Sequence, residues 1–406
     1  MAGYLTTLKL RDYRLLWIGS TVSTFGDAMT LVALTWLVLS QSGPTGVGWL
    51  VFAFGAPVVI GGLLTGRILA RFGVVRTLFT DSLIRAVIVS SVPVAELIGH
   101  APRWLPFVVA VSYGLAKMIP LAGVPTLIPD LVDSESLNAA NALETISYGA
   151  GSVAGPALAG AMLAFLSPGS VLAVDAASFV VFAICLKLMQ RQVEVVSGTS
   201  DGIGVMTALR FIVRCAPIRS TTLMFAGCNI GLGTLAVVLP VYAVNTLKVG
   251  AAGFGTMTAA LAAGELLGAA AAGVWPVRRN LGRAIAGTQL ATGLAACGLL
   301  LHPQLIATCI VLALVGAFSA PMTIWAQTIR MALVPSDLRG HVFALLRTTM
   351  QAGAPAGGVV GGAAISGGIG LATALSAAWL GLPGAVGLVA PSLSDTATAP
   401  PAARVT

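Results

Sequence analysis

The chain has 406 residues, of which 57% are hydrophobic and only 9% charged. A soluble surface needs about 25% charged residues, so the composition excludes a soluble globular protein and asks most of the outer surface to face lipid. The 22 basic residues outnumber the 14 acidic ones, giving a net charge of +8, but they lie in short gaps between apolar runs, which reads as membrane-topology information and not as a nucleic-acid surface.

Crossing the hydrocarbon takes about 20 apolar residues. Runs of that length, read between Pro, Gly and charge punctuation, fall at 15–39, 47–70, 77–99, 104–128, 138–166, 170–190, 219–246, 251–276, 283–302, 304–327, 342–366 and 368–390. The first follows Lys9, Arg11 and Arg14, lacks a small-residue cleavage site and runs too long for a signal peptide, so it is expected to remain in the mature protein. The longest polar connection is 191–210, after which 208–215 reads as a short amphipathic helix. The expected organisation is an N-terminal six-helix bundle over 1–190, a cytoplasmic linker over 191–218, a C-terminal six-helix bundle over 219–391 and a tail over 392–406.

Charge tests this division. If the amino terminus is cytoplasmic and the runs alternate, every Lys and Arg except Arg85, Arg103, Lys117 and Lys248 falls on the cytoplasmic side. Such a bias sets orientation and leaves both termini cytoplasmic. The halves also resemble each other. A shift of 202 carries Gly151, Gly155 and Gly160 onto Gly353, Gly357 and Gly362, and Val132-Asp133-Ser134-Glu135 onto Val334-Pro335-Ser336-Asp337. Duplicated six-helix units around a central site are a recurrent transporter architecture.

Charged residues inside the spans are expensive and are candidates for function. Asp27 and Lys117 lie near the midpoints of the first and fourth spans, where they can bind a proton, a polar substrate group or each other, or form a static ion pair. Glu265 sits in the eighth span among Ala, Gly and Leu with no neutralising neighbour in sequence, as a proton carrier or a hydrogen-bonded structural acid. Glu144, two turns into the fifth span, is either a coupling acid or a partner for a cytoplasmic arginine. Asp81 and Arg85 are spaced i, i+4 on one helix face and are expected to pair. Asp175 falls towards the outer end of the sixth span, where water is close.

Several segments together resemble the major facilitator superfamily, and within it the bacterial drug–proton antiporters of macrolide-efflux and enterobactin-exporter types. They are Arg11-Asp12-Tyr13-Arg14-Leu15-Leu16-Trp17, Gly26-Asp27, Asp81-Ser82-Leu83-Ile84-Arg85-Ala86, Leu127-Ile128-Pro129-Asp130, Asn138-Ala139-Ala140-Asn141, Asp175-Ala176-Ala177-Ser178-Phe179 and Leu338-Arg339-Gly340-His341-Val342. The resemblance implies an all-α membrane protein of twelve transmembrane helices in two pseudo-symmetric halves, multi-pass in a bacterial inner membrane.

Two further motifs belong to that resemblance. The loop containing Gly66, Arg71, Gly73 and Arg76 resembles the family's gating loop, with Ala70 where the family has an acid; Arg71 and Arg76 would brace the gate against Asp81 or another acid, or act as plain topology charges. In the fifth span, Gly151, Gly155, Pro156 and Gly160 resemble the antiporter glycine–proline motif. Glycines at i and i+4 permit close helix contact and the proline removes a backbone donor, favouring a kink, which puts a gate or hinge role slightly ahead of ordinary small-residue packing. Trp17, Trp36, Trp49, Trp104 and Trp275 fall near span ends and read as interfacial anchors.

The implied function is proton-coupled efflux of a small amphipathic compound (a drug, antibiotic or siderophore) by alternating access. An importer or lipid flippase on the same fold stays open, and a non-transporting membrane protein is the remaining alternative. No GxxxxGK[ST] stretch is present, and no Cys, His or carboxylate spacing builds a metal site or a catalytic group, so neither an enzyme nor a cofactor is expected. The expected partners are substrate, protons and membrane lipid, without nucleic acid, and the expected state is a monomer.

Overall fold

The computed structural model describes residues 2–99, 101–133, 136–190, 205–274, 280–301, 304–335, 342, 345–346, 349–350 and 352–393. After a short α1 (Ala2–Lys9), α2 runs from Arg11 to Phe72, 62 residues. At 1.5 Å per residue such a rod would be about 90 Å long, far beyond one bilayer. Gly43 resolves this: at φ 66°, ψ −169° it breaks the helical path and divides α2 into legs 11–42 and 44–72. Glycine takes that dihedral without a Cβ clash, and Pro44 opens the second leg, where its missing N–H costs nothing.

Gly73, at φ 81°, then joins α2 to α3 (Val74–Leu97). The following elements are α4 (Leu105–Ala116), α5 (Met118–Leu131), α6 (Leu137–Leu163), α7 (Pro168–Leu188), α8 (Val205–Arg214) and α9 (Ala216–Val241), extended by one π turn. The chain continues with α10 (Gly250–Val274), α11 (Leu281–Cys297), α12 (Leu305–Leu333), α13 (Gly353–Ala364) and α14 (Ile369–Val389).

Among the described residues nine segments are long and apolar enough to cross a membrane; α2 counts once there despite its two legs, and Leu105–Leu131 takes in both α4 and α5. α6, at 27 residues, also has the length to cross. The expected run 342–366 lies partly outside the described residues, and α13 is the continuous part of it. Large apolar side chains such as Val87, Leu267, Leu294, Ile306 and Val386 are left exposed on helix faces. That is the surface a lipid solvent accepts and water does not.

Two compact units divide the described residues. The first draws on Met1–Gly198 and Val249–Ala259, the second on Thr199–Lys248 and Ala260–Thr406. In the first, α2 packs along α7, α6 and α4, and α3 along α7. Its core gathers Tyr13, Leu16, Leu78, Leu127, Ile128 and Phe182. The Tyr13 hydroxyl donates to the Ala140 carbonyl (3.0 Å) and the Trp17 indole N–H to Leu143 (3.4 Å), tying the start of α2 to the start of α6. Trp17 is therefore partly buried and links two helices. Trp36 is likewise partly buried and stacks on Phe254, whereas Trp49 and Trp104 are exposed as anchors require; Trp275 lies outside the described residues. In the second unit α11 packs on α14 and α12, and α9 on α13 and α14.

One carboxylate fastens two helix ends in the first unit. Glu96, in the last turns of α3, accepts from the Ser167 hydroxyl (2.8 Å) and from the Gly169 backbone N–H (3.1 Å) at the first turn of α7. It both satisfies a free N–H and faces the positive end of the helix dipole. Replacing Glu96 by Ala should lower stability by about 1 kcal/mol. Glu96→Gln, which keeps an acceptor, should lose less when both are compared by thermal unfolding of the purified protein in detergent.

Candidate functional site

A cavity of about 250 Å³ opens in the first unit. The first leg of α2 contributes Ser20, Ser23, Thr24 and Asp27, α6 contributes Glu144, Tyr148 and Ser152, and Phe182 comes from α7. Lys117 and Pro120 line it at the junction of α4 and α5. Pro120 explains that junction: it has no N–H to offer the carbonyl of Ala116, and its ring crowds that carbonyl, so regular α-helix is interrupted around Lys117. Lys117 is exposed there, on the same wall as Asp27.

Behind Asp27 lies a dense polar cluster. Arg85 is 2% exposed and forms ion pairs with Asp81 (3.1 Å) and with Asp27 (3.6 Å). Its guanidinium also lies over the rings of Tyr113 and Phe179, at 5.3 and 5.5 Å from their centroids. The i, i+4 spacing within α3 delivers the Asp81 pair locally, while Asp27 reaches it from α2. The Asp27 side chain is 35% exposed, facing the cavity it lines, and its Oδ1 accepts no hydrogen bond among the described residues.

Asp175 completes the cluster. It is fully buried, not near water, and accepts from the hydroxyls of Thr30 (2.6 Å), Ser178 (3.0 Å) and Tyr113. A Cβ at Gly26 would collide with Asp175 Oδ1 and come within 2.5 Å of Ser178 Oγ, so a larger residue there would displace these side chains. Sequence reading sent Asp175 towards the solvent end of its span. Counting from Pro168 at about 1.5 Å per residue places it roughly 10 Å into the helix, and the paired Asp175 and Ser178 were the available signal.

The sequence profile described as transmembrane secretion effector matches residues 2–397. The chain belongs to that family, and with it to the major facilitator superfamily. It is 26% identical to an uncharacterised MFS-type transporter of Sinorhizobium fredii, over 90% of this chain and 91% of the relative. It is 24% identical to the multidrug efflux pump Tap of Mycolicibacterium fortuitum, over 88% of this chain and 90% of that pump. Among solved structures, a nucleoside transporter aligns with TM-score 0.75 at 12% identity, covering 94% of this chain and 98% of its own. A bacterial homologue of the iron transporter ferroportin aligns with TM-score 0.65 at 19% identity, covering 93% and 98%. The solved structures show the fold alone. Together these results make the protein a multi-pass membrane transporter of the major facilitator fold.

The remaining expected residues of this transporter fall in different places. Gly151 and Gly155 lie against Thr24, Phe25 and Ala28, so the glycine face of α6 meets the α2 turn that carries Asp27. Gly160 closes on Ala251 and Gly255 within the same unit. α6 runs continuously through Pro156, as a helix from Leu137 to Leu163. Gly66 and Arg71 are exposed, Arg71 resting on the Phe72 ring, and Gly73 and Arg76 line a separate hollow of about 540 Å³ that shares no residue with the first cavity. Asp81 is engaged by Arg85 and not by Arg71 or Arg76, because it faces inward from α3 while both loop arginines are exposed. Glu265 is exposed on the part of α10 that belongs to the second unit.

In the second unit, Arg330 is a buried charge that the cytoplasmic placement of the basic residues does not anticipate. Arg330, at the end of α12, is 4% exposed and lies over the Phe225 ring at 5.8 Å, with Nε and Nη2 lacking hydrogen-bond partners among the described residues.

Removing one member of a buried ion pair costs about 3–5 kcal/mol because the other charge stays behind. Arg85→Leu, which leaves both Asp81 and Asp27 without their counter-charge, should therefore reduce thermal stability in detergent more than Asp81→Ala, which leaves Arg85 paired with Asp27. Equal losses would mean that the lost counter-charge is not the source of the effect.

Proposed function

We propose that this transporter is a proton-coupled exporter of a small amphipathic compound, working by alternating access between two six-helix halves, 1–190 and 219–391, joined by the linker 191–218. Both termini and the tail 392–406 are then cytoplasmic, in a bacterial inner membrane. The observation that carries the reading is Asp27: a carboxylate on a cavity wall within the membrane, held by Arg85 at 3.6 Å on one side and open on the other.

Such a group has two ways to lose its charge to a partner. A proton can bind it, leaving Arg85 held by Asp81, or a polar group of the substrate can compete for it. Exchange of the two at one site is what antiport requires. Glu144 and Lys117 on the same wall offer a second acid and a cation to orient the substrate, and the apolar share of the lining suits an amphipathic body. Glu265 supplies a candidate coupling acid in the other half. The direction of transport is taken from the similarity to the Tap multidrug efflux pumps across most of both chains.

In inverted vesicles with an imposed proton gradient and a panel of dyes and antibiotics, wild type should accumulate compound, and a protonophore should abolish accumulation. Asp27→Asn should do the same. Glu265→Gln and Glu144→Gln then separate the contributing acids. Gradient-driven transport that continues unchanged in Asp27→Asn removes this residue from the coupling step.

A further inference from the structure

The helix α8 presents three different faces. Ala208 is fully buried, and Phe211 and Ile212 are partly buried beside it, packed with Ile218, Val334, Val342 and Leu346. Met206, Leu209 and Val213 are 58%, 44% and 53% exposed. Arg210 and Arg214 are exposed as well.

At about 100° per residue, Met206, Val213 and Leu209 form one stripe roughly 60° wide, and the two arginines continue from its Met206 edge, between the stripe and Phe211. No acidic residue occurs anywhere in 205–219, which adds Arg219. The stripe is thus exposed, and α8 itself carries no acidic residue.

The depth of this helix is fixed by its neighbour. Only Cys215 separates α8 from α9, the first segment of the second unit long and apolar enough to cross the membrane. Arg219, in the first turn of α9, donates to the Val213 carbonyl at the end of α8 (2.5 Å), and the Ala208 face is packed against Ile218. The helix is held at the level where a membrane-crossing helix ends, which is the headgroup region. A helix there with an apolar stripe flanked by arginines is built to lie in the interface and attract anionic lipid.

We propose that α8 is an anionic-phospholipid site: Met206, Leu209 and Val213 enter the acyl boundary while Arg210, Arg214 and Arg219 hold phosphate headgroups. A second protein is disfavoured by the narrowness of the stripe and by its position at the bilayer surface. The occupant is a lipid of the surrounding membrane.

The test uses the full-length chain with its five cysteines replaced by Ala and a single spin label introduced through Leu209→Cys or, as a control on the polar side, Thr207→Cys. Power saturation with oxygen and with a water-soluble nickel chelate is read in phosphatidylcholine vesicles with and without phosphatidylglycerol. The oxygen-to-nickel accessibility ratio should be higher at 209 than at 207, as for a helix whose apolar face enters the acyl boundary. It should rise when phosphatidylglycerol is present, and Arg210→Gln/Arg214→Gln should remove that rise. Equal ratios at 209 and 207 would overturn the interfacial placement. A ratio at 209 that is indifferent to phosphatidylglycerol, or a rise that survives the double variant, would overturn the anionic headgroup site.

Discussion

A guanidinium shut away from water is costly unless negative charge offsets it, and the first unit is arranged around one that is so offset. Arg85 is matched by Asp81 on its own helix and Asp27 on α2, with Tyr113 and Phe179 rings covering its faces. Five helical elements, α2, α3, α4 and α7 by these contacts and α6 through its glycine face on α2, are fixed relative to one another by satisfying this cluster. The low dielectric that makes the charges costly to bury also makes each contact strong. A change in one carboxylate's charge is therefore felt by every helix that touches the arginine, which is the property a transporter needs if a proton is to alter its shape.

The cavity and the cluster divide the work between them. Asp175, enclosed by Thr30, Tyr113 and Ser178, is satisfied on both oxygens and has no opening to the cavity lining. Asp27 is the member that reaches both sides, touching Arg85 inward and the cavity outward. Tyr13 and Trp17 pin the start of α6, and Gly151 and Gly155 let that helix close on Thr24 and Ala28; together they set Glu144 into the wall that Asp27 shares. Residues that were recognisable only as pieces of a family pattern thus have identifiable mechanical tasks.

What the sequence made legible was local. Apolar runs and their punctuation located the spans, including the break between the first two that Gly43 and Pro44 create. The i, i+4 spacing of Asp81 and Arg85 anticipated their ion pair, and the amphipathic pattern at 208–215 anticipated α8. What stayed hidden was azimuth. A helix that is apolar on nearly all sides gives no periodic signal for which face turns inward, so Asp27 could be matched with Lys117 by depth but not with Arg85 by direction. Contacts such as Tyr113 with Asp175 or Thr30 with Asp175 bridge 62 and 145 residues of chain, a separation that no local spacing encodes. Arg330 was hidden for the same reason: its place near a span end suggested water, and its packing against Phe225 is tertiary.

The central claim is that Asp27 holds a proton which the substrate displaces. The most direct measurement is proton release from purified protein in weakly buffered detergent, followed with a pH indicator as a transported compound is added. Wild type should release protons with a saturable dependence on the compound, and Asp27→Asn should release none while still folding. Undiminished release from Asp27→Asn would contradict the account and move the exchange site to another carboxylate.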